Sequence, residues 1–200
     1  VEMSSIYLDV LKDRLYCDAQ NSRSRKSAQT AMTRILEAVV KMIAPILVHS
    51  ADEAWEAIET KTADAPETIH LADMPTPDES IDYQSQQPRW DKLMEVRDEV
   101  LKQLESLRQN QVINSNQQAD VKVACPDETY KIITDFGIEN FANLCIVSNV
   151  NLEKADQLNV TAAKCTFEKC QRCWNFYPSV GSIENQPDLC KRCAEVMDAG

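Results

Sequence analysis

Glycine is nearly missing from this chain. Its 200 residues hold three, Gly137, Gly181 and Gly200, which excludes a glycine-rich loop that cradles phosphates. Histidine is as scarce. His49 and His70 have no serine or cysteine at a nucleophile-like spacing. His49 follows an apolar run and precedes a helix start, so it is expected as a capping or packed side chain. Basic residues are outnumbered: 21 Lys and Arg face 32 Asp and Glu, and the formal charge of −11 argues against broad, non-specific nucleic-acid binding. No apolar run approaches the roughly 18 residues that span a membrane, so no membrane partner is expected. The opening stretch VEMSSIYLDV has the pattern of an amphipathic helix and not of a secretion signal. Carboxylates are plentiful but lie on solvated helix faces, with no isolated pair in an apolar stretch. No catalytic residue is assigned.

What the chain does have is cysteine, eight in all. Two Cys-x-x-Cys pairs, Cys170/Cys173 and Cys190/Cys193, flank residues 174–189, a spacing that suits a four-cysteine structural zinc site. Each pair places two thiolates on one edge of a tetrahedron, and four soft ligands leave no open position for water. One structural zinc is therefore expected. A pair of disulfides belongs to oxidising compartments, and a thioredoxin-like redox pair needs a βαβ setting that is missing. A rubredoxin-like iron centre uses the same four thiolates, and spacing alone does not separate the two metals. Cys165 is expected as a buried or bystander thiol. Eight cysteines without a secretion signal point to a reducing cytoplasm.

Cations cluster despite the negative total, at Arg23, Arg25, Lys26 and Arg34, and again at Lys164, Lys169, Arg172, Lys191 and Arg192. A four-thiolate zinc carries net negative charge, which the second cluster partly neutralises.

Periodicity predicts a mainly α protein. Leu8, Leu11 and Leu15 mark a helix over 4–18. A long helix follows over 25–43, capped by Ser22 or Ser24, with Ala28, Met32, Ile35, Leu36, Val39 and Ile43 on its apolar stripe and Pro45 ending it. Residues 50–53 (SADE) form a capping box for a short helix with Trp55 and Ile58. Residues 60–88, with Pro66, Pro75, Pro77 and Pro88, form a connector without helix, carrying at most a short extended piece over 68–71. A helix over 90–109 presents Leu93, Val96, Val100, Leu104 and Leu107. Val121, Val123 and Cys125 then alternate as on a half-buried strand. A helix over 127–136 turns Tyr130 and Ile133 inward, and further strands are expected over 144–150 and 159–169. The expected architecture is a helical bundle (1–110, with the connector at 60–88), a small α+β junction (111–163) and a zinc-ribbon-like module (164–200).

Three stretches carry a resemblance. SRSRKSAQTAMTRILEAVVKMIAPILVHSADEAWE (22–56) resembles the helical anticodon-binding domain of isoleucyl-tRNA synthetases. RWDKLMEVRDEVLKQLESLRQNQVINSNQQADVKV (89–123) is similar to the next block of that family. KCQRCWNFYPSVG followed by CKRC resembles the C-terminal zinc module of the bacterial-type enzymes. The chain departs from the family at residues 113–117, which read INSNQ where Ile-Gly-Lys-Ser-Leu is common. The valyl and leucyl enzymes share the helix less closely, and the four-cysteine tail disfavours the valyl one.

The resemblance implies the C-terminal portion of a synthetase that joins isoleucine to its tRNA with ATP and edits misactivated valine. The catalytic and editing domains are absent from these residues, and the chain opens on Val1 as an excised piece would. The implied partners are the anticodon stem-loop of tRNA(Ile) and the remainder of the synthetase, in a cytoplasmic monomer. An anticodon loop offers unstacked bases, which proteins read by aromatic stacking and Arg hydrogen bonds. Arg172 and Trp174, placed on a rigid knuckle, are the expected base contacts, and Arg23, Arg25 and Lys26 the expected phosphate contacts. The rival is a zinc-ribbon adaptor that binds protein. Salt-dependent tRNA binding, absent for unrelated hairpins, separates the two.

Overall fold

A computed structural model describes residues 3–59, 61 and 64–199. Thr60, Thr62 and Ala63 of the expected connector, and Val1, lie outside the described residues. The chain forms two compact units, Gln20–Ile81 and Val1–Ala19 with Asp82–Gly200.

The Gln20–Ile81 unit is helical. Its long helix, α2, follows α1 (Leu8–Cys17) of the other unit in the chain. Helix α2 (Arg23–Ile43) starts at Ser22, whose Oγ accepts from the Arg25 N–H at 3.1 Å. Of the two candidate caps, Ser22 is the one used. After the turn at Pro45 the chain enters α3 (Val48–Glu56) directly, through Leu47 N–H to Ile43 O at 2.8 Å and Ala51 N–H to Leu47 O at 2.8 Å. The expected capping box is therefore not formed. Helix α3 begins ahead of Ser50, without a side-chain cap, and His49 is exposed in its first turn, neither capping nor packed. Residues Ile69–Leu71 form a 3-10 turn, not an extended piece. Asp52 pins it by accepting from Thr68 Oγ1 at 2.6 Å and from the Ile69 N–H at 3.2 Å. Val40, Ala44, Ala51, Trp55, Ile58 and Ile69 make the core, and the Trp55 indole N–H donates to Pro66 O at 3.0 Å. The α2 stripe is only partly covered. Ala28 is buried, whereas Leu36 and Val39 are 46% and 40% exposed.

The other unit is built on a small sheet. Strand β1 (Ala119–Cys125) lies between β2 (Asn149–Lys154) and β3 (Asn159–Lys164), parallel to β2 and antiparallel to β3. Ala119, Val121, Val123 and Cys125 point one way and are fully buried, as the alternation predicts. Helix α4 (Tyr83–Gln109) buries Leu93, Val96, Val100 and Leu104 in the same core. Helix α5 (Asp127–Phe136) buries Ile133 and packs Tyr130 against it. Between β1 and β2 the chain crosses over through α5 and α6 (Ile138–Cys145).

Three expectations change here. Helix α4 starts inside the proline-bearing segment. Asp82 caps it through Ser85 N–H at 3.1 Å, and Pro88 leaves only an exposed carbonyl for water to satisfy. Residues 144–150 are not one strand. Leu144 and Cys145 close the buried face of α6, Ile146 ends it in the left-handed region at φ 58°, and β2 starts at Asn149. The third strand stops at Lys164. Gly137 joins α5 to α6 at φ 95°, where an added Cβ would lie 3.0 Å from Asn140 Nδ2, so a larger residue is strained there. No helix among the described residues is long and apolar enough to cross a membrane.

Candidate metal centre and nucleic-acid interface

The first knuckle is a short hairpin closed by Cys170 N–H to Asn175 O and Trp174 N–H to Cys170 O, both 2.9 Å, with Lys169 bridged to Phe176. The second sits at the start of α7 (Lys191–Asp198), with Cys190 as its N-cap and Cys193 in its first turn, where the helix dipole favours thiolates. Gln171 N–H to Asp188 O at 3.0 Å joins the two, and Cys190 N–H donates to Cys170 Sγ at 3.3 Å.

The four Sγ atoms of Cys170, Cys173, Cys190 and Cys193 lie within 4.8 Å of one another, and those of Cys173 and Cys190 are 3.8 Å apart. Zinc–sulfur bonds of about 2.3 Å in a tetrahedron separate the sulfurs by about 3.8 Å, so the cluster fits a zinc ion. Among the described residues no other group of Cys, His or acidic side chains closes round a point this way. Cys165 is buried outside the cluster, its Sγ accepting from Phe167 N–H at 3.5 Å, as a bystander does. Hydrogen bonds from Cys173 and Arg172 hold Cys193 down at about 4. The bond to Cys193 and burial push Cys173 up, and burial pushes Cys190 up to about 11.

Arg172 and Trp174 leave the same knuckle in different directions. Arg172 Nη1 donates to the carbonyl of Cys17 at 2.5 Å and to Cys193 Sγ at 3.6 Å. The Cys17 thiol donates back to Arg172 O at 3.7 Å. Cys17 ends α1 (Leu8–Cys17), so the module is docked on that helix. Burial, then the neighbouring Asp13, pushes the Cys17 thiol up to about 11. Arg192, in the first turn of α7, completes the dock with a two-point pair to Asp13 and a 3.4 Å contact to Asp18. Sequence reasoning missed Asp13, Cys17 and Asp18, because no local pattern links residues so far apart in the chain.

Trp174 is 61% exposed. Its φ of 66° lies in the left-handed region, a conformation that costs a bulky residue on the order of 1–3 kcal/mol. The mini-core of the module is made without it, from the cysteines with Tyr177, Val180 and Leu189. Lys169 Nζ stands 5.1 Å from the centre of the indole ring, close enough for a cation–π contact. Arg23, Arg25 and Lys26 open α2 in the other unit, Arg23 and Lys26 exposed and Arg25 half-buried.

A family model for the anticodon-binding domain of tRNA ligases matches residues 1–123. The chain belongs to this anticodon-binding family. A second model, the zinc finger found in FPG and IleRS, matches residues 167–196, which decides zinc over iron for the four thiolates. The isoleucine–tRNA ligase of Symbiobacterium thermophilum is 38% identical across 98% of the chain and 22% of its own length. That of Geobacillus thermodenitrificans is 37% identical across 99% and 22%, and that of Syntrophotalea carbinolica 38% across 98% and 22%. The chain thus spans about a fifth of the length of the curated relatives it matches.

Proposed function

We propose that this chain recognises the anticodon loop of isoleucine tRNA and positions that tRNA for ATP-dependent aminoacylation by a catalytic core carried elsewhere in the synthetase. The observation that carries the reading is Trp174, a large aromatic held outward, in a strained backbone conformation, on a zinc-stiffened knuckle. A side chain placed so is poorly explained by packing and well suited to stacking an unstacked base, worth roughly 1–3 kcal/mol. Arg172 contributes beside it. The two contacts described use only Nη1, and a guanidinium has further donors on Nε and Nη2 for a base edge.

Arg23, Arg25 and Lys26 support the same reading from the other unit. Three cations and no acid in the first turn of α2 oppose the helix dipole, so this helix start is built to meet an anion, here the RNA phosphates. The remainder of the synthetase is the second partner, and the exposed apolar face of α2, with Leu36, Val39 and Met42, suits its packing. In this reading the protein works as a monomer in the cytoplasm.

The test is binding of the zinc-loaded chain to an isoleucine anticodon stem-loop and to the same stem-loop with its anticodon replaced. Anticodon-dependent binding that Trp174→Ala weakens supports the reading. Equal binding of both RNAs overturns it.

A further inference from the structure

Beside Trp174 the surface opens into a cavity of about 650 Å³, within the range of small-molecule sites. Tyr16, at the end of α1 and 75% exposed, lines it as a second aromatic. The remaining wall is rich in amides: Asn114, Asn116, Gln117 and Asn143. Among the described residues none of these four side-chain amides makes a hydrogen bond within the chain.

The wall is nevertheless fixed. The Asn114 N–H donates to Gln118 Oε1 at 2.7 Å, and Cys165 N–H donates to Gln118 O at 2.7 Å. Ser148 Oγ donates to Gln117 O and accepts from the Phe176 N–H, both at 2.7 Å. One hydroxyl thus ties residues 114–117 to the zinc knuckle. Free amides on a pinned backbone, facing two exposed aromatics, are preorganised for a flat polar ligand.

Charge narrows the ligand. Of the wall's cations, Lys12 is paired with Asp9, Arg108 with Glu105 at 3.0 Å, and Arg172 is tied through Nη1 to the Cys17 carbonyl, while Arg192 takes up the wall's Asp13. That leaves few cations for a phosphate. A side-chain amide offers both donors and an acceptor, and a nucleobase edge presents the same mixture beside a face that stacks.

We infer that this cavity receives one extruded nucleobase of the RNA loop, with Tyr16 as a stacking surface and Asn114, Asn116 and Gln117 reading the base edge. The inference rests on the anticodon-loop reading and adds a second base site to the Trp174 one.

The experiment titrates the zinc-loaded 200-residue chain with isoleucine anticodon stem-loops in which each loop base is replaced in turn. Wild type is compared with Tyr16→Ala, Tyr16→Phe, an Asn114→Ala/Asn116→Ala double variant and Trp174→Ala. The expected result is binding about 5- to 150-fold weaker for Tyr16→Ala and unchanged for Tyr16→Phe. The double variant loses discrimination at one loop position, different from the one lost with Trp174→Ala. Tyr16 is exposed, so its truncation leaves the core intact, and zinc content checks each variant. If Tyr16→Ala and the double variant bind as wild type while Trp174→Ala is weakened, the cavity assignment is overturned and the anticodon-loop reading stands. If no stem-loop binds, or if replacing loop bases never changes binding, the anticodon-loop reading falls and the cavity assignment with it.

Discussion

Asp13 and Arg192, at opposite ends of the chain, form a two-point ion pair, with Arg192 Nη1 and Nη2 donating to the two carboxylate oxygens at 2.5 and 2.7 Å. Asp13 is on α1 and Arg192 is between two zinc ligands, so the pair fastens the metal centre to a helix outside it. Arg172 makes the second fastening through the Cys17 carbonyl. Composition sets both cations against the negative charge of a four-thiolate zinc, and the knuckle makes Arg172 an expected base contact as well.

Removing the pair should loosen the module without emptying it. Asp13→Asn is expected to destabilise the zinc-loaded chain by about 1.5 kcal/mol, the low end for charge-assisted hydrogen bonds because both groups keep some water. Denaturant unfolding measures this. The reversed pair, Asp13→Arg with Arg192→Asp, should recover part of the loss. Zinc content should stay at that of wild type throughout.

Metal removal should act on one region. A chelator is expected to raise amide exchange across residues 168–195 while β1 and α4 stay protected, because their core contains no zinc ligand. Cys193→Ser should lose the bound zinc. Cys165→Ser and Cys17→Ser should retain one zinc per chain by metal analysis, since neither thiol belongs to the cluster.

Trp174 invites a trade of stability against binding. Glycine adopts positive φ without strain, so Trp174→Gly should unfold at a temperature equal to or above that of wild type. The same variant should bind the stem-loop least. Thermal unfolding and RNA titration on one preparation test both halves.

Asp52 makes the stability of the Gln20–Ile81 unit pH-dependent. The hydrogen bond from Thr68, then that from the Ile69 amide, holds its carboxyl below the usual 3.8. A depressed folded value contributes stability that is complete above the unfolded value and lost as pH falls through the folded one. The difference in melting temperature between wild type and Asp52→Ala should therefore be constant near neutral pH and shrink below about pH 4.

Arg97 is buried and donates Nε–H to Leu144 O at 3.0 Å, at the end of α6. Arg97→Met should leave that carbonyl unpartnered and destabilise the protein by about 1–3 kcal/mol, measured by denaturant unfolding.

What the sequence determined by itself was local. The zinc ligands are legible because each Cys-x-x-Cys knuckle is closed by hydrogen bonds within a few residues, and spacing carries that geometry. The α4 stripe and the β1 alternation are legible because helix and strand periods repeat in the chain. Tertiary structure decided the rest. Residues 144–150 look like a strand until Leu144 and Cys145 are needed to close α6 over the core. Asp82 and solvent let α4 run through Pro88, where proline alone argues for a break. The α2 stripe looked like core, yet Leu36 and Val39 stay exposed because the period of a helix fixes which residues share a face and not what covers it. Arg172 and Arg192 differ from their neighbouring cations only because α1 places Cys17 and Asp13 against them. A side chain's partner across such a separation depends on packing, which no spacing within the chain encodes.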